Sequence, residues 1–173
     1  MGAQATTCIP DLEAQKKLRE ALGSFATGVT VVTTTTPDGR RIGLTANSFT
    51  SVSLDPPLVL WSLNRRSANL DTFRCADHFA INVLSAAQHA LCWRFARPTE
   101  GDRFDGVALT PSRLQLPVIE DSLATFECSK YDMYEAGDHV VFVGRVEDFS
   151  KGSGDALIFS AGRILSAATA AAL

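Results

Sequence analysis

Small polar side chains crowd into residues 45–57, in a part of the sequence that otherwise has strand character. The segment runs TANSFTSVSLDPP, whereas a plain strand alternates polar residues with large apolar ones. Small side chains would let a flat ligand reach the backbone, whose N–H and C=O groups could hydrogen-bond to the edge of that ligand. Composition alone equally allows a polar strand edge that is simply rich in Ser and Thr.

Two further segments carry groups that could bind an anion or a polar ring. Arg65 and Arg66 lie between an apolar strand and a helix, where guanidinium groups and a helix N-terminus both favour phosphate. His139 opens an apolar strand directly after a Gly-Asp turn, a position typical of the mouth of a barrel. Taken singly, these residues are better explained as surface arginines and a strand-end histidine with satisfied hydrogen bonds.

Several kinds of chemistry are excluded by motifs that the sequence lacks. No G-x-G-x-x-G follows a strand and no G-x-x-x-x-G-K-[ST] occurs, so neither a Rossmann site nor a P-loop is indicated. A G-x-S-x-G nucleophile elbow is also absent. The 4 cysteines and 3 histidines are dispersed, so no metal site is expected. Any chemistry must come from a bound cofactor or from a less familiar arrangement of side chains.

Charge and hydropathy limit the partners. The formal net charge of -3 argues against nucleic acid, which requires an excess of positive charge on one face. No apolar run approaches the ~18 residues of a membrane-spanning helix. The first ten residues lack the basic start and apolar middle of a signal peptide. We therefore expect a soluble cytoplasmic protein with reduced thiols and no membrane partner.

The elements that must position these residues are mostly strands. Residues 29–36 are β-branched throughout, and the Pro-Asp-Gly turn after them predicts an antiparallel return. Further strands are expected at 42–48, 51–54, 58–63, 78–84, 124–130, 139–148 and 157–160. Helices are expected from an N-cap at Asp11 to Gly23, at 67–74 and at 86–96. The strand at 58–63 is apolar enough for burial on both faces, and residues 97–105 have the composition of an exposed loop.

Strands in antiparallel runs with inserted helices favour a closed or partly closed β-barrel over a doubly wound sheet. The length of 173 residues suits one domain, and internal repeats are absent. We expect a flexible leader at 1–10, one domain at 11–166 and a C-terminal tail at 167–173.

Seven stretches of the sequence, taken in order, resemble one family. They are residues 25–33, 45–53, 55–59, 79–84, 94–96, 103–107 and 137–139. Together they make the chain similar to the short-chain flavin reductases of the FMN-binding split-barrel type, over about residues 18–164. This family includes the reductase components of two-component aromatic monooxygenases. The resemblance implies a mainly β protein, a split β-barrel with peripheral helices.

The resemblance also implies an activity. It is that of an NAD(P)H:flavin oxidoreductase, with NADH favoured, that reduces FMN or FAD by hydride transfer and supplies the reduced flavin to a partner monooxygenase. The two rings must stack with the reacting atoms roughly 3–3.5 Å apart. A homodimer is expected, with the flavin near the two-fold axis and the strand at 58–63 covered by the partner. Two alternatives stay open: an oxidase resembling the pyridoxamine-phosphate oxidases, and a non-catalytic flavin carrier or sensor.

The site residues implied by the resemblance fall into groups. The isoalloxazine edge would contact Thr45, Ala46, Asn47 and Ser48, and the ribityl chain would contact Ser51, Val52 and Ser53. The phosphate would lie near Ser62, Arg66 and Ser67. Arg97 and Phe104 would close a loop over the flavin tail or adenine. His139 would position the nicotinamide, and no general acid or base is needed for the hydride transfer itself.

Overall fold

The computed structural model describes residues 11–98 and 101–167, most of them in antiparallel strands. The expected leader, and all of the expected tail except Ala167, lie outside the described residues. In chain order the strands are β1 (Thr27–Gly28), β2 (Thr30–Thr35), β3 (Arg41–Ala46), β4 (Thr50–Leu54), β5 (Pro57–Asn64), β6 (His78–Val83), β7 (Leu109–Thr110), β8 (Val118–Ile119), β9 (Ala124–Ala136), β10 (His139–Lys151), β11 (Leu157–Ser160) and β12 (Arg163–Ser166). The helices are α1 (Leu12–Gly23), α2 (Leu70–Cys75) and α3 (His89–Ala96), with a 3-10 turn at Ala86–Gln88.

Seven strands form the main sheet, in the order β3-β2-β6-β9-β10-β5-β4, and every neighbouring pair is antiparallel. Its two end strands, β3 and β4, follow each other in the chain through residues 47–49, which brings the ends of the sheet together. Within the described residues no strand pairing joins β3 to β4, so the barrel wall is split there. The predicted split β-barrel with peripheral helices is confirmed.

Aromatic side chains fill the barrel. Trp61 of β5 is fully buried and stacks on Phe142 of β10 at a ring-centroid distance of 4.8 Å. Phe73 of α2 and Phe79 of β6 meet the indole edge-on, at 5.0 and 5.8 Å. Only glycine fits at position 144 of β10, because a Cβ there would lie 2.5 Å from the Phe79 ring. The interior is therefore a packed core that leaves no room for a ligand between these rings.

Helix α1 lies apart from this core. It begins after Asp11, whose carboxylate accepts a hydrogen bond from the Ala14 N–H at 2.6 Å, as the N-cap pattern predicts. Its expected apolar face finds no cover among the described residues: Leu22 is 65% exposed and Phe25, just beyond the helix, 78%. Across residues 11–98 and 101–167, no helix has the length and apolar character that crossing a membrane demands.

Two expectations about the strands are wrong in detail. The apolar run at 58–63 predicts burial of both faces, but Val59, Trp61 and Leu63 are buried while Leu58 and Leu60 are only half-buried. One face of β5 packs inside the barrel, and the other is covered only in part. Strands β9 and β10 each run for 13 residues, longer than predicted. The end of β9 continues to pair with β10 beyond the last β6 partner, Ser129, and the end of β10 pairs with residues 124–126 at the start of β9.

Candidate functional site

The split between β3 and β4 is bridged by a side chain instead of by strand pairing. The pairing of β4 with β5 runs only from Leu54↔Pro57 to Thr50↔Leu60. Beyond that point the Ser48 hydroxyl accepts a hydrogen bond from the Ser62 N–H at 2.9 Å and donates one to the Ser62 carbonyl at 3.1 Å. These two bonds imitate a neighbouring strand and hold residues 47–49 at the edge of the barrel.

This contact joins the three polar segments that the sequence singles out. Strand β5 pairs with β10 at Ser62↔Val141 and at Asn64↔His139, so residues 62–67 lie beside the start of β10. Through Ser48, residues 47–49 attach to the other side of β5 near its end, and residues 50–54 pair with its first half. Residues from all three segments therefore meet around one end of β5.

The turn between β9 and β10 presents His139 at this end. Gly137 has a φ of +62°, the left-handed conformation that favours glycine. Asp138 Oδ1 lies 2.7 Å from Nδ1 of His139, and this hydrogen bond, helped by the more weakly acting Arg66 charge, lowers the pKa of the Asp138 carboxyl. The Arg65 N–H donates to the Asp138 carbonyl at 2.9 Å and ties the turn to β5. The imidazole is 43% exposed, so a ligand can reach it.

Some of the predicted site residues use their polar groups to hold the structure. The Thr45 hydroxyl donates to the Cys92 carbonyl of α3 at 2.7 Å, where burial raises the pKa of the Cys92 thiol. The Ala46 carbonyl accepts a hydrogen bond from the Thr30 hydroxyl at 2.8 Å. Ser53 and Ser67 each accept a hydrogen bond from the backbone N–H two residues later. Together with Ser48, these residues position the segments.

Other predicted residues keep polar groups free. Among the described residues, no hydrogen-bond partner within range is found for the side chains of four of them: Asn47, Ser51, Ser62 and Arg66. The β4–β5 register also shifts between Ser51 and Ser53, so the backbone of Val52 stands outside the regular ladder, and its side chain is 51% exposed. An amide, two hydroxyls, a guanidinium and an irregular stretch of backbone are thus available for a ligand.

The expected loop over the ligand differs from the prediction. An exposed loop at 97–105 is wrong at Phe104, which is 1% exposed because its ring packs edge-on against Phe95 at 4.9 Å and beside Gly43. Its position gives no support to a contact between this ring and a flavin. Arg97 is exposed at the end of α3, with its guanidinium 4.8 Å from the Trp93 ring, and its contact with the flavin tail stays a prediction.

A charged cluster beside the turn is not apparent in the sequence. Glu135 of β9 forms ion pairs with Arg65, at 3.5 Å, and with Arg74 of α2. No periodicity links these residues, which only the pairing of β9, β10 and β5 brings together. Arg65 thus has a carboxylate partner while Arg66 has none within ion-pair distance in the described chain, which favours Arg66 as the anion ligand.

Two surface cavities are lined by residues outside the candidate site. One is lined by residues 34–38, 40, 71–72, 75–78 and 114–116, the other by residues 39–43, Asn69 and 101–103. The second cavity includes Asn69, two positions after Ser67 in the sequence, and residues 101–103 after α3. Residues 45–53 and His139 line neither cavity. Asn47, Ser51 and Val52 are exposed, whereas Ala46 is buried. No three His, Cys, Asp or Glu side chains of the described residues lie close enough to hold a metal ion.

Comparison with known proteins identifies the family to which this chain belongs. The flavin reductase like domain matches residues 22–168. The chain belongs to this flavin reductase family. It is 49% identical to the FMN reductase (NADH) SmoA of Agrobacterium fabrum. The 154 aligned residues are 89% of this chain and 87% of that protein. It is 48% identical over 135 residues to the reductase component of the flavin-dependent trigonelline monooxygenase of Acinetobacter baylyi, covering 78% of this chain but 43% of that protein.

A solved structure extends the comparison with flavin reductases to three dimensions. The NADH:FAD oxidoreductase SgcE6 of Streptomyces globisporus, solved in complex with NAD and FAD fragments, superposes with a TM-score of 0.82. The two chains are 36% identical over 90% of this chain and 93% of that one.

The free groups at the split have the chemistry that a flavin requires. An isoalloxazine edge carries carbonyl and N–H groups, which an amide such as Asn47 can match with a donor and an acceptor. Hydroxyls such as Ser51 suit the ribityl chain, and the Arg66 guanidinium suits a phosphate. The donor set of this site therefore fits FMN or the FMN half of FAD.

Proposed function

We propose that this protein is an NAD(P)H:flavin oxidoreductase that reduces FMN or FAD, with NADH as its preferred reductant, and supplies reduced flavin to a partner monooxygenase. The observation that carries the proposal is the meeting of three polar segments around the end of β5, where the side chains of Asn47, Ser62 and Arg66 and the Nε2 atom of His139 have no hydrogen-bond partner in the described chain. The Ser51 hydroxyl lies further along β5, in register with Val59. The names of the relatives, an FMN reductase and a monooxygenase reductase component, support the same conclusion.

Each free group has a role in this proposal, and the Ser67 hydroxyl, which accepts a hydrogen bond from the Asn69 N–H, still has its own hydrogen to donate. Asn47 binds the polar edge of the isoalloxazine, together with the backbone of residues 45–48. Ser51 and the backbone around Val52 bind the ribityl chain, and Ser62, Arg66 and Ser67 bind the phosphate. Arg97 reaches the flavin tail. His139 orients the nicotinamide from the other side of β5.

The chain supplies placement, and the bound molecules supply the redox chemistry. The reduced nicotinamide gives a hydride, two electrons and one proton, to the flavin. No side chain has to move a proton in that transfer. The lowered pKa of Asp138 agrees with this view, because a carboxyl that is ionised at neutral pH does not act as a proton donor there.

The direct test is NADH oxidation followed by absorbance, with and without added FMN or FAD. We expect turnover only when flavin is added, and a higher kcat/KM for NADH than for NADPH. A protein that keeps its flavin oxidised in the presence of NADH and NADPH would be a carrier, and the proposal would fail. Oxidation of pyridoxamine phosphate without a nicotinamide would favour the oxidase alternative.

We also propose that two copies form a homodimer that completes the flavin site. Strand β4 is one of the two end strands of the main sheet. It carries Val52, which is 51% exposed, and Leu54, which is 94% exposed. Uncovered apolar side chains at a sheet edge are typical of an interface. Light scattering should give twice the chain mass of 18.6 kDa at micromolar concentration. Leu54→Glu should shift the protein towards the monomer and weaken flavin binding, and a monomeric wild type would overturn the proposal.

The partner and the compartment complete the proposal. We infer that reduced flavin passes to a flavin-dependent monooxygenase, at least in part by diffusion through solvent. Cys75, Cys92 and Cys128 are free thiols, which suits the reducing cytoplasm. Mixing of the reductase, NADH and flavin with a candidate oxygenase and its substrate in air-saturated buffer, where O2 supplies the inserted oxygen atom, should sustain hydroxylation. A dialysis membrane between the two proteins should slow but not abolish it.

A further inference from the structure

Asp138 holds one nitrogen of the His139 ring. Asp138 lies in the turn between β9 and β10, where the Arg65 N–H donates to its carbonyl at 2.9 Å, and His139 is the first residue of β10. The following residue, His139, is in register with Asn64 of β5. Asp138 Oδ1 lies 2.7 Å from His139 Nδ1, a distance typical of a charge-assisted hydrogen bond. Nε2 has no hydrogen-bond partner among the described residues.

This arrangement decides where the imidazole carries its hydrogen. An ionised carboxylate can only accept hydrogen bonds, so the hydrogen between the two groups must belong to Nδ1. A neutral imidazole has one N–H, and Nε2 is then left as an acceptor. The other charged groups near the turn are Arg66, whose charge acts on the Asp138 carboxyl, and the ion pair between Arg65, just after β5, and Glu135 of β9.

We propose that Asp138 is a positioning residue that fixes His139 as the Nδ1–H tautomer, so that Nε2 accepts a hydrogen bond from the carboxamide N–H of the nicotinamide. This inference rests on the proposed function, in which His139 orients that ring. The inference also predicts which group on the nicotinamide ring the protein recognises. The protein favours a nicotinamide with an N–H donor at the 3-position and disfavours an analogue that has only a carbonyl there.

The tautomer can be observed without any turnover. Long-range ¹H–¹⁵N NMR correlates the ring carbons' protons with both nitrogens and distinguishes the three protonation states of an imidazole. Comparison with His139→Gln assigns the signals among the three histidines. We expect a protonated Nδ1 and a bare Nε2 for His139 at pH 8. A bare Nδ1, or protons on both nitrogens, would overturn the inference.

Variants of Asp138 separate orientation from general structure. Asp138→Asn keeps an oxygen acceptor for Nδ1–H, so its KM for NADH should stay within about twofold of the wild type. Asp138→Ala removes the acceptor and should raise the KM for NADH about fivefold while kcat changes by less than about twofold. Asp148→Ala, an exposed carboxylate at the other end of β10, is the matched control and should alter neither. Equal effects of the Asn and Ala variants would contradict the role of the acceptor.

A nicotinamide analogue tests the recognised group itself. Reduced 3-acetylpyridine adenine dinucleotide keeps the carbonyl but has no N–H. The ratio of kcat/KM for NADH to that for this analogue should be about fivefold larger in the wild type than in Asp138→Ala, because intrinsic reactivity cancels in the comparison. An unchanged ratio would overturn the inference. Failure of the wild type to oxidise NADH with flavin would instead overturn the proposed function, whatever the tautomer.

Discussion

The middle and the beginning of strand β10 differ in how completely their side chains are packed and hydrogen-bonded. In its middle, Phe142 lies 1% exposed against Trp61, and Gly144 leaves the space that the Phe79 ring fills. At its beginning, Asp138 and His139 are exposed and linked mainly to each other. The difference teaches that the barrel obtains its stability from a closed aromatic core and leaves the polar groups at the split incompletely satisfied. Those groups can therefore bind a ligand without disturbing the packing.

The largest effect is expected where packing is complete. Phe142→Ala should lower the free energy of unfolding by about 4 kcal/mol, because it removes a stacked ring and leaves a cavity. Phe149→Ala is a matched control on the same strand, since that ring is 71% exposed, and should cost less than about 0.5 kcal/mol. Urea unfolding followed by circular dichroism measures both. Similar midpoints for the two variants would contradict the contrast between the core and the end of β10.

The next effect comes from adding a single methyl group. Gly144→Ala should destabilise the protein by about 2 kcal/mol, because its Cβ would lie 2.5 Å from Phe79 and 2.9 Å from the Cys128 Cβ. Gly28→Ala adds the same group where no atom lies within 4 Å and serves as the control. Its unfolding midpoint should stay near that of the wild type. A Gly144→Ala variant as stable as Gly28→Ala would show that β10 can move away from the β6 side chains.

Local signals account for what the sequence predicts well. The Asp11 N-cap, the β-branched run that becomes β2 and the turn before β3 each depend on neighbouring residues, and each is found in the structure. The hairpin end of β9 was not predictable in this way. Tyr131 and Tyr134 are both exposed, so the segment lacks the alternation of buried and exposed residues that is typical of a strand. Only the pairing with β10 makes it a strand.

The smallest stability effect distinguishes a serine whose hydroxyl is hydrogen-bonded, Ser48, from one whose hydroxyl is free, Ser51. Ser48→Ala should lower the free energy of unfolding by about 1.5 kcal/mol, because the Ser62 N–H and carbonyl would both lose their partner. Ser51→Ala should change it by less than about 0.5 kcal/mol, since its hydroxyl holds nothing in the described chain. Thermal unfolding of both variants measures the difference. Equal stabilities would mean that Ser48 does not substitute for strand pairing.

The sequence predicts which segments form the candidate site. It does not predict which side chains of those segments hold the structure and which stay free for a ligand. That Ser48 bonds to Ser62 while Ser51 stays free depends on where β4 stops pairing with β5, which no local pattern encodes. Phe104 lies among charged residues in the sequence, and its burial follows from the space over Gly43, about sixty residues away in the chain. Long-range packing of this kind has no signature in a single sequence.

The most direct test of the central claim is the equilibrium affinity for FMN, measured by quenching of flavin fluorescence. Ser51→Leu places a bulky side chain where the ribityl chain is proposed to lie, and Ser153→Leu adds the same side chain in an exposed turn away from the split. The account predicts that Ser51→Leu raises the Kd at least about tenfold with an unchanged unfolding midpoint, while Ser153→Leu leaves both values as in the wild type. An unchanged Kd in folded Ser51→Leu would contradict it.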